Sequence, residues 1–266
     1  MLAVGDAARA GPGRRGDVIL TAVVDEEHAS RGTEAVVREY RADSAIVGEP
    51  SGLQVVTEHK GFVWFEIETA GVAAHGSLPE VGVDAIVAMG NVLVELGTEG
   101  RRLASGRRHP TLGAGSIHAS LVSGGQELSS YPAACRLSVE RRTLPGETGE
   151  SAEAELQTLL ARIARADPKF QATLRRTFER SPMEADRTSP IVAAVSARVQ
   201  KRTGKPTEYA GMSGWLDSAL LHGAGIPTVV LGPVGAGLHG VEEWVELESV
   251  RACREIVAGV IADFCA

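Results

Sequence analysis

Two runs, DVILTAVV at residues 17–24 and PTVVL at 227–231, are apolar at nearly every position rather than at every second one. A strand of that kind is buried on both faces, which is the situation in a parallel sheet covered by helices. The runs stand far apart in the chain, so any sheet that holds both must be assembled from distant segments. Residues 33–40 read as a short helix and Ser44–Val47 as a second buried strand ending in Gly48-Glu49-Pro50. The front of the chain is therefore expected to be strand, helix, strand, as in an α/β sheet.

The period then changes. FVWFEIET at 62–69 begins apolar and goes on to alternate, as a half-buried strand does. Residues 83–96 are apolar at helical spacing, 115–122 and 135–141 alternate, 150–166 are amphipathic and 170–178 alternate again. The order β-α-β-β-α-β is that of a ferredoxin-like split βαβ unit. After Ser181-Pro182 the first pattern returns, with helices expected at 190–203, 217–222 and 246–264 around the strand 227–231. The expected architecture is a discontinuous α/β domain, 1–57 with 180–266, interrupted by a smaller domain at 58–179.

Composition narrows the function classes. Of the 266 residues, 44% are hydrophobic and 23% charged, as in a globular chain with a core. A net charge of -7 with no basic run argues against nucleic acid as a partner. No apolar stretch approaches the roughly 18 residues of a membrane span. The N-terminus MLAVGDAARAGPG has neither a charged leader nor a long apolar core, so no signal peptide is expected. Met1–Ala10 reads as a helix stopped by Gly11-Pro12-Gly13. The three cysteines, Cys135, Cys253 and Cys265, form no CxxC and no even framework, which suits reduced thiols in the cytoplasm.

The chemistry concentrates at strand ends. In open α/β sheets, functional groups gather beyond the carboxyl ends of parallel strands. Asp25, Glu26 and Glu27 follow VILTAVV, Glu49 follows AIVG, and His239 follows TVVLGPVGAGL. Carboxylates with an imidazole and no thiolate suit zinc, or manganese or cobalt. One of two adjacent acids can hold a metal while the other accepts a proton. Taken singly, the acid pair fits a solvated loop better and the histidine a structural one; the convergence of three strand ends raises the functional reading to equal standing. GAGLHG at 235–240 matches GxGxxG, but VEEWVEL separates it from the last helix and no second strand follows, so a dinucleotide site is not expected.

The stretches DEEHASRGTE, VGEPSG, HKGF, GVAAHGSLPEVGVDAI, ERRTLPGE and GIPTVVLGPVGAGLHGVEEWV together resemble the di-zinc aminoacylases and carboxypeptidases. That family includes acetylornithine deacetylase, succinyl-diaminopimelate desuccinylase and glutamate carboxypeptidase. The resemblance runs along essentially the whole chain. It implies a zinc-peptidase-like α/β domain interrupted by a ferredoxin-like lid and dimerisation domain, a homodimer joined through 58–179, and hydrolysis of an amide bond in an N-acyl amino acid or small peptide. It implies two zinc sites, with Glu27 and His239 as ligands of one and Glu49 of the other, and Glu26 as general base. His75, in AAHGS, resembles the histidine that reaches the partner subunit's site and steadies an oxyanion. Arg142 resembles the arginine that grips a substrate carboxylate, which suits guanidinium geometry; Arg141 points to the opposite strand face. Ser129 stands where the family often has Asn, and Gly214 lies in the Gly-rich turn of GMSGWLDSALL that the family places at the pocket.

One departure is large. The family carries a His-x-Asp motif and a metal-bridging Asp upstream of the Glu pair, whereas no histidine precedes His28, and Asp6 and Asp17 are wrongly placed. The resemblance thus implies a front shortened by about 100 residues, taking an ordinary domain size. Two alternatives follow: a catalytically inactive relative that binds carboxylates or only dimerises, and one chain of a two-chain enzyme.

Overall fold

The computed structural model describes residues 1–9 and 15–265. It opens with α1 (Leu2–Arg9), α2 (Arg31–Glu39), β1 (Ala45–Val47) and β2 (Val55–His59). Next come β3 (Gly61–Ala70), α3 (Ala85–Ser105), a hairpin of β4 (Arg108–His109) and β5 (Gly113–Ala114), then β6 (Ser116–Gly124), β7 (Ala134–Thr143), α4 (Gly149–Ala166) and β8 (Gln171–Arg180). The last stretch holds β9 (Met183–Glu184), α5 (Pro190–Thr203), β10 (Tyr209–Met212), α6 (Ser218–Gly223), β11 (Thr228–Val230), a hairpin of β12 (Gly235–Ala236) and β13 (Trp244–Val245), and α7 (Leu247–Phe264). The elements form two compact units, Met1–His59 with Met183–Ala266, and Lys60–Pro182. No helix among the described residues is long and apolar enough to cross a membrane.

The first unit is built on a mixed sheet in the order β1-β11-β2-β10, with β9 beside β2. β1 runs parallel to β11 and β10 parallel to β2, while β11 meets β2 antiparallel at Val230 and Val56. β2 and β11 are buried throughout, because helices cover both faces of the sheet's centre. Val55, Val229 and Leu231 pack with Ile191, Val192, Val195 and Val199 of α5 and Ile256 and Val260 of α7. On the other face, Val56 and Val230 pack with Met183, Leu216 and Ala219. Pro190 opens α5 and Gly204, at φ 70°, closes it, so those bounds follow the expected stop and start residues.

The run 17–24 departs from expectation. It forms no strand and pairs with none among the described residues, and Ile19, Leu20 and Val24 are exposed. Apolar patterning marks a segment able to be buried; without a neighbouring strand its backbone has no ladder to join. The helix at the N-terminus spans Leu2–Arg9, and the Gly11-Pro12-Gly13 stop lies outside the described residues.

The second unit has the antiparallel sheet order β6-β7-β3-β8 with α3 and α4 against one face, a ferredoxin-like arrangement. Phe65, Ile67, Leu137 and Val139 of the sheet meet Met89, Val92 and Leu96 of α3 and Leu156, Leu159 and Ile163 of α4. Asp84 caps α3 by accepting from the N–H groups of Ile86 (2.8 Å) and Val87 (3.0 Å). Thr148 and Ser151 form a reciprocal capping box on α4. α3 continues past the expected residue 96 to Ser105, through Gly97 and Gly100, because Leu103 is buried and adds another turn of apolar contact.

Two substitutions test this account by denaturant unfolding. Ile67→Ala, at a fully buried position, should destabilise the second unit by about 2–5 kcal/mol, whereas Val94→Ala, on the exposed face of α3, should change it by less than about 0.5 kcal/mol. In the first unit, Gly232→Ala should cost at least about 1–3 kcal/mol, because a Cβ there would lie 1.9 Å from the Glu49 carbonyl oxygen.

Candidate functional site

In the first unit, β1 and β11 run side by side in the same direction, so the segments leaving their carboxyl ends begin together. After β1 comes the turn bearing Glu49; after β11 comes the loop 232–246 that carries His239 between β12 and β13. The two are stitched together. Gly232 donates its N–H to Ser51 Oγ (3.0 Å), while the N–H groups of Leu53 and Gly52 donate to the carbonyls of Gly232 and Pro233 (both 3.0 Å). Only glycine fits at 232, since the Glu49 backbone fills the place of a side chain.

The acid pair is held by a different device. Asp25 adopts a left-handed conformation (φ 67°), and its carbonyl accepts from the N–H groups of His28, Ala29 and Ser30, wrapping the loop into α2. Glu26 and Glu27 ride on this loop. Thr33, in the first turn of α2, donates its hydroxyl to Asp217 Oδ2 (2.5 Å), and both residues are buried.

These contacts gather charge of one sign. Burial pushes the Glu26 carboxyl up to about 7, helped by Glu49, Asp217 and Glu27 and opposed by His239. Burial, then Glu27 and Asp217, likewise raise Glu49. Glu27 Oε2 stands 3.5 Å from His239 Nε2, with both side chains largely exposed. His239 has φ 59°, a backbone shape that costs a non-glycine residue energy and is retained by its surroundings.

The donors suit a divalent ion in kind: carboxylates and an imidazole, without thiolate. One pair also suits it in spacing, because ligands about 2.1 Å from a tetrahedral ion lie roughly 3.4 Å apart. Among the described residues, two buried carboxylate oxygens, Asp25 Oδ2 and Asp217 Oδ1, have no hydrogen-bond partner, although Arg31 Nε lies 3.9 Å from the former. Among the described residues, however, no three His, Cys, Asp or Glu side chains converge into a preformed shell. The fit is therefore one of donor chemistry and of a single pair, not of a complete coordination sphere.

Asp217 is the residue that sequence reasoning left out. Its signal was an acid just before a short helix, after a Gly-rich turn, in GWLDSALL. Gly214 of that turn is exposed, and a Cβ there would meet nothing within 4 Å. GAGLHG opens a two-stranded hairpin rather than a helix, which leaves it without the helix N-terminus that cradles a pyrophosphate.

The remaining candidates lie in the second unit. His75 pairs with Ser130 in an isolated bridge and its Nδ1 lies 2.8 Å from Ser77 Oγ, so His75 and Ser129 are neighbours on an exposed edge. Gly76 donates its N–H to the Ser129 carbonyl at 2.7 Å. Arg141 is buried and pinned by Glu155 (3.0 Å) and Glu147 (3.2 Å). Arg142, on the other face of β7, is partly open; its Nε donates to Glu140 (2.7 Å), and its guanidinium stacks 5.2 Å from the Phe62 ring centre.

Residues 57–168 match the peptidase dimerisation domain of the M20 family. Over 259 residues the chain is 30% identical to the acetylornithine deacetylase of Myxococcus xanthus, covering 93% of this chain and 64% of that protein. Against the acetylornithine deacetylase of Proteus mirabilis it is 27% identical, covering 92% and 63%. The chain thus spans less than two thirds of the length of these relatives. Among solved structures, the aminopeptidase PepT from Bacillus cereus matches with a TM-score of 0.74 at 18% identity, over 91% of this chain and 62% of that one. A tripeptidase from Staphylococcus aureus matches with a TM-score of 0.67 at 16% identity, over 88% and 62%. At such identities the structures speak for the fold alone. Residues 57–168 thus resemble a peptidase dimerisation domain, and along most of its length the chain is similar to acetylornithine deacetylases.

Proposed function

We propose that the chain takes part in metal-dependent hydrolysis of an amide bond in an N-acyl amino acid or small peptide. The observation that supports this reading is the pairing of Glu27 with His239 at 3.5 Å, beside Glu26 and Glu49, whose carboxyls burial and neighbouring acids push up. The relatives' names, acetylornithine deacetylase, supply the reaction class.

Each side chain has a task in this reading. Glu27 and His239 would hold one ion and Glu49 a second, with zinc first and cobalt or manganese as substitutes. A bound ion supplies Lewis acidity at the scissile carbonyl. Glu26, with its carboxyl near neutrality, takes a proton from the attacking water and passes it to the leaving nitrogen. Arg142 presents its terminal nitrogens to a substrate carboxylate, its Nε being already occupied by Glu140. Ser129 adds a polar contact and Gly214 leaves room. His75, whose Nδ1 is engaged by Ser77, keeps Nε2 for a developing oxyanion in the site of a second copy. The three free cysteines agree with a reducing compartment such as the cytoplasm.

The homodimer would form through the second unit. β6 is an edge strand carrying exposed Leu121 and Val122, with Leu128 just beyond it. On α3, which packs against β6, Ile86, Val87, Leu93 and Val94 face solvent at helical spacing. An edge strand beside an apolar helix face favours pairing with another copy. The absence of a three-donor shell among the described residues favours one rival, an inactive relative that binds carboxylates or only dimerises. A two-chain enzyme, with ligands supplied by another polypeptide, is the other.

With Zn²⁺ or Co²⁺ present, the chain should hydrolyse N-acetyl amino acids and stop when a chelator is added; Glu26→Gln should lower kcat about 10²–10⁴-fold with little change in KM. Turnover that ignores chelator and Glu26→Gln alike would refute the scheme, and none at all would favour the rivals. In sedimentation velocity, the wild type should run as a dimer and Leu121→Asp combined with Val94→Glu as a monomer; a double variant that stays dimeric places the interface elsewhere.

A further inference from the structure

Asp217 carries a charge that its visible role does not need. It is 5% exposed, and its Oδ2 accepts the Thr33 hydroxyl. One acceptor oxygen suffices for that bond, and an asparagine would supply it without a charge. Instead, Oδ1 is also buried and has no hydrogen-bond partner among the described residues. A buried, unpaired carboxylate oxygen is costly unless something positive or protic meets it. The groups nearest in electrostatic effect make the cost greater, since Asp217 bears on Glu26 and Glu49 and helps raise both.

We propose that Asp217 is a further cation-facing carboxylate of this pocket, its Oδ1 turned to a divalent ion shared with Glu49 while its Oδ2 fixes the acid-bearing loop through Thr33. This rests on the reading of the pocket as a cation site, and not on the chain turning over a substrate. Two roles then fall to one side chain. Through Thr33 it sets the start of α2, and with it the loop that presents Glu26 and Glu27. Through Oδ1 it adds negative charge at a place where a cation would offset it. Strong repulsion in the ion-free protein and strong attraction in the loaded protein have the same source, so one substitution should move the two in opposite directions.

The test uses the full chain, stripped with chelator, and Co²⁺ alone as the probe in calorimetric titration. Asp217→Asn keeps an acceptor for Thr33 and removes the charge. It should weaken Co²⁺ binding at least ten-fold and raise the Tm of the ion-free chain. Thr33→Val removes only the hydrogen bond; it should lower the Tm and leave Co²⁺ affinity within about three-fold. Affinity unchanged in Asp217→Asn overturns the proposal. So does a Tm that falls, or a variant that fails to fold, because Asp217 is then only the anchor of α2. An equal loss of affinity in Thr33→Val also overturns it, since the loop position alone would account for binding. A wild-type chain that takes up no Co²⁺ at millimolar concentration overturns it together with the cation reading. Tight Co²⁺ binding without hydrolysis leaves it standing and removes only the proposed activity.

Discussion

The parallel ladder between Ala45–Val47 and Thr228–Val230 is the constraint on which the site depends. It is only three residues long, yet its position is fixed from both sides. Val229 packs against α5 and α7, while Val230 is buried with Met183, Leu216 and Ala219 on the opposite face. Shifting the register by one residue would exchange these two faces. Because the strands run the same way, the turn with Glu49 and the loop with His239 must leave from one end. Hydrophobic burial thus decides where the acids go, and the acids have no say in it.

Magnitudes explain why the protein tolerates the result. Two like charges about 4 Å apart repel by roughly 1–4 kcal/mol at effective dielectric constants between water and a protein surface. Burying a single Val or Leu side chain returns about 1.5–3 kcal/mol, and the two faces of this sheet bury many. The core can therefore hold several unfavourable carboxylates in place. The local cost falls on Asp25 and His239, both at positive φ, and on Asp217 Oδ1, which has no hydrogen-bond partner among the described residues. Positive φ at Asp25 and His239 thus falls on the loops that carry the candidate residues, whereas the cores are built from buried apolar side chains.

How much of this could be read from residues alone varies with how local the signal is. The second unit was legible almost element by element, because alternation and amphipathic helices are short-range features, while its caps at Asp84 and Thr148 came only with the structure. Glu49 and His239 follow β1 and β11 as the strand-end reading expects, whereas Glu26 and Glu27 follow a run that forms no strand. β2 and β10 were not singled out, since VVTEH and YAGM are brief and partly polar, and their pairing is a tertiary decision. The run 17–24 was misread for the same reason in reverse, as apolar sequence proposes burial and only a neighbouring strand grants it. Asp217 was invisible because nothing in GWLDSALL foretells a hydrogen bond to Thr33, 184 positions away.

The second unit poses the complementary question of what an otherwise complete fold leaves unfinished. Its core is closed between the sheet and the two helices, with Ile67, Leu137 and Leu156 fully buried. Nothing inside it calls for Leu121 or Val94, which are 73% and 69% exposed. Scattered apolar residues on a surface need no cause, but these lie on an edge strand and on the helix packed against it. An edge strand offers unpaired N–H and C=O groups along its length, and proteins usually blunt such edges with charge, proline or a bulge. β6 has a bulge between Ala119 and Leu121, but in SIHASLVSG it has no charged side chain apart from a histidine, and no proline. The edge is therefore only partly guarded, and its apolar side chains would gain most from an identical edge running antiparallel, where each copy's Leu121 and Val122 find the other's and the backbone groups are paired. That arrangement satisfies hydrogen bonding and burial with one contact, which neither a flat helix-to-helix contact nor a solvent-exposed edge achieves.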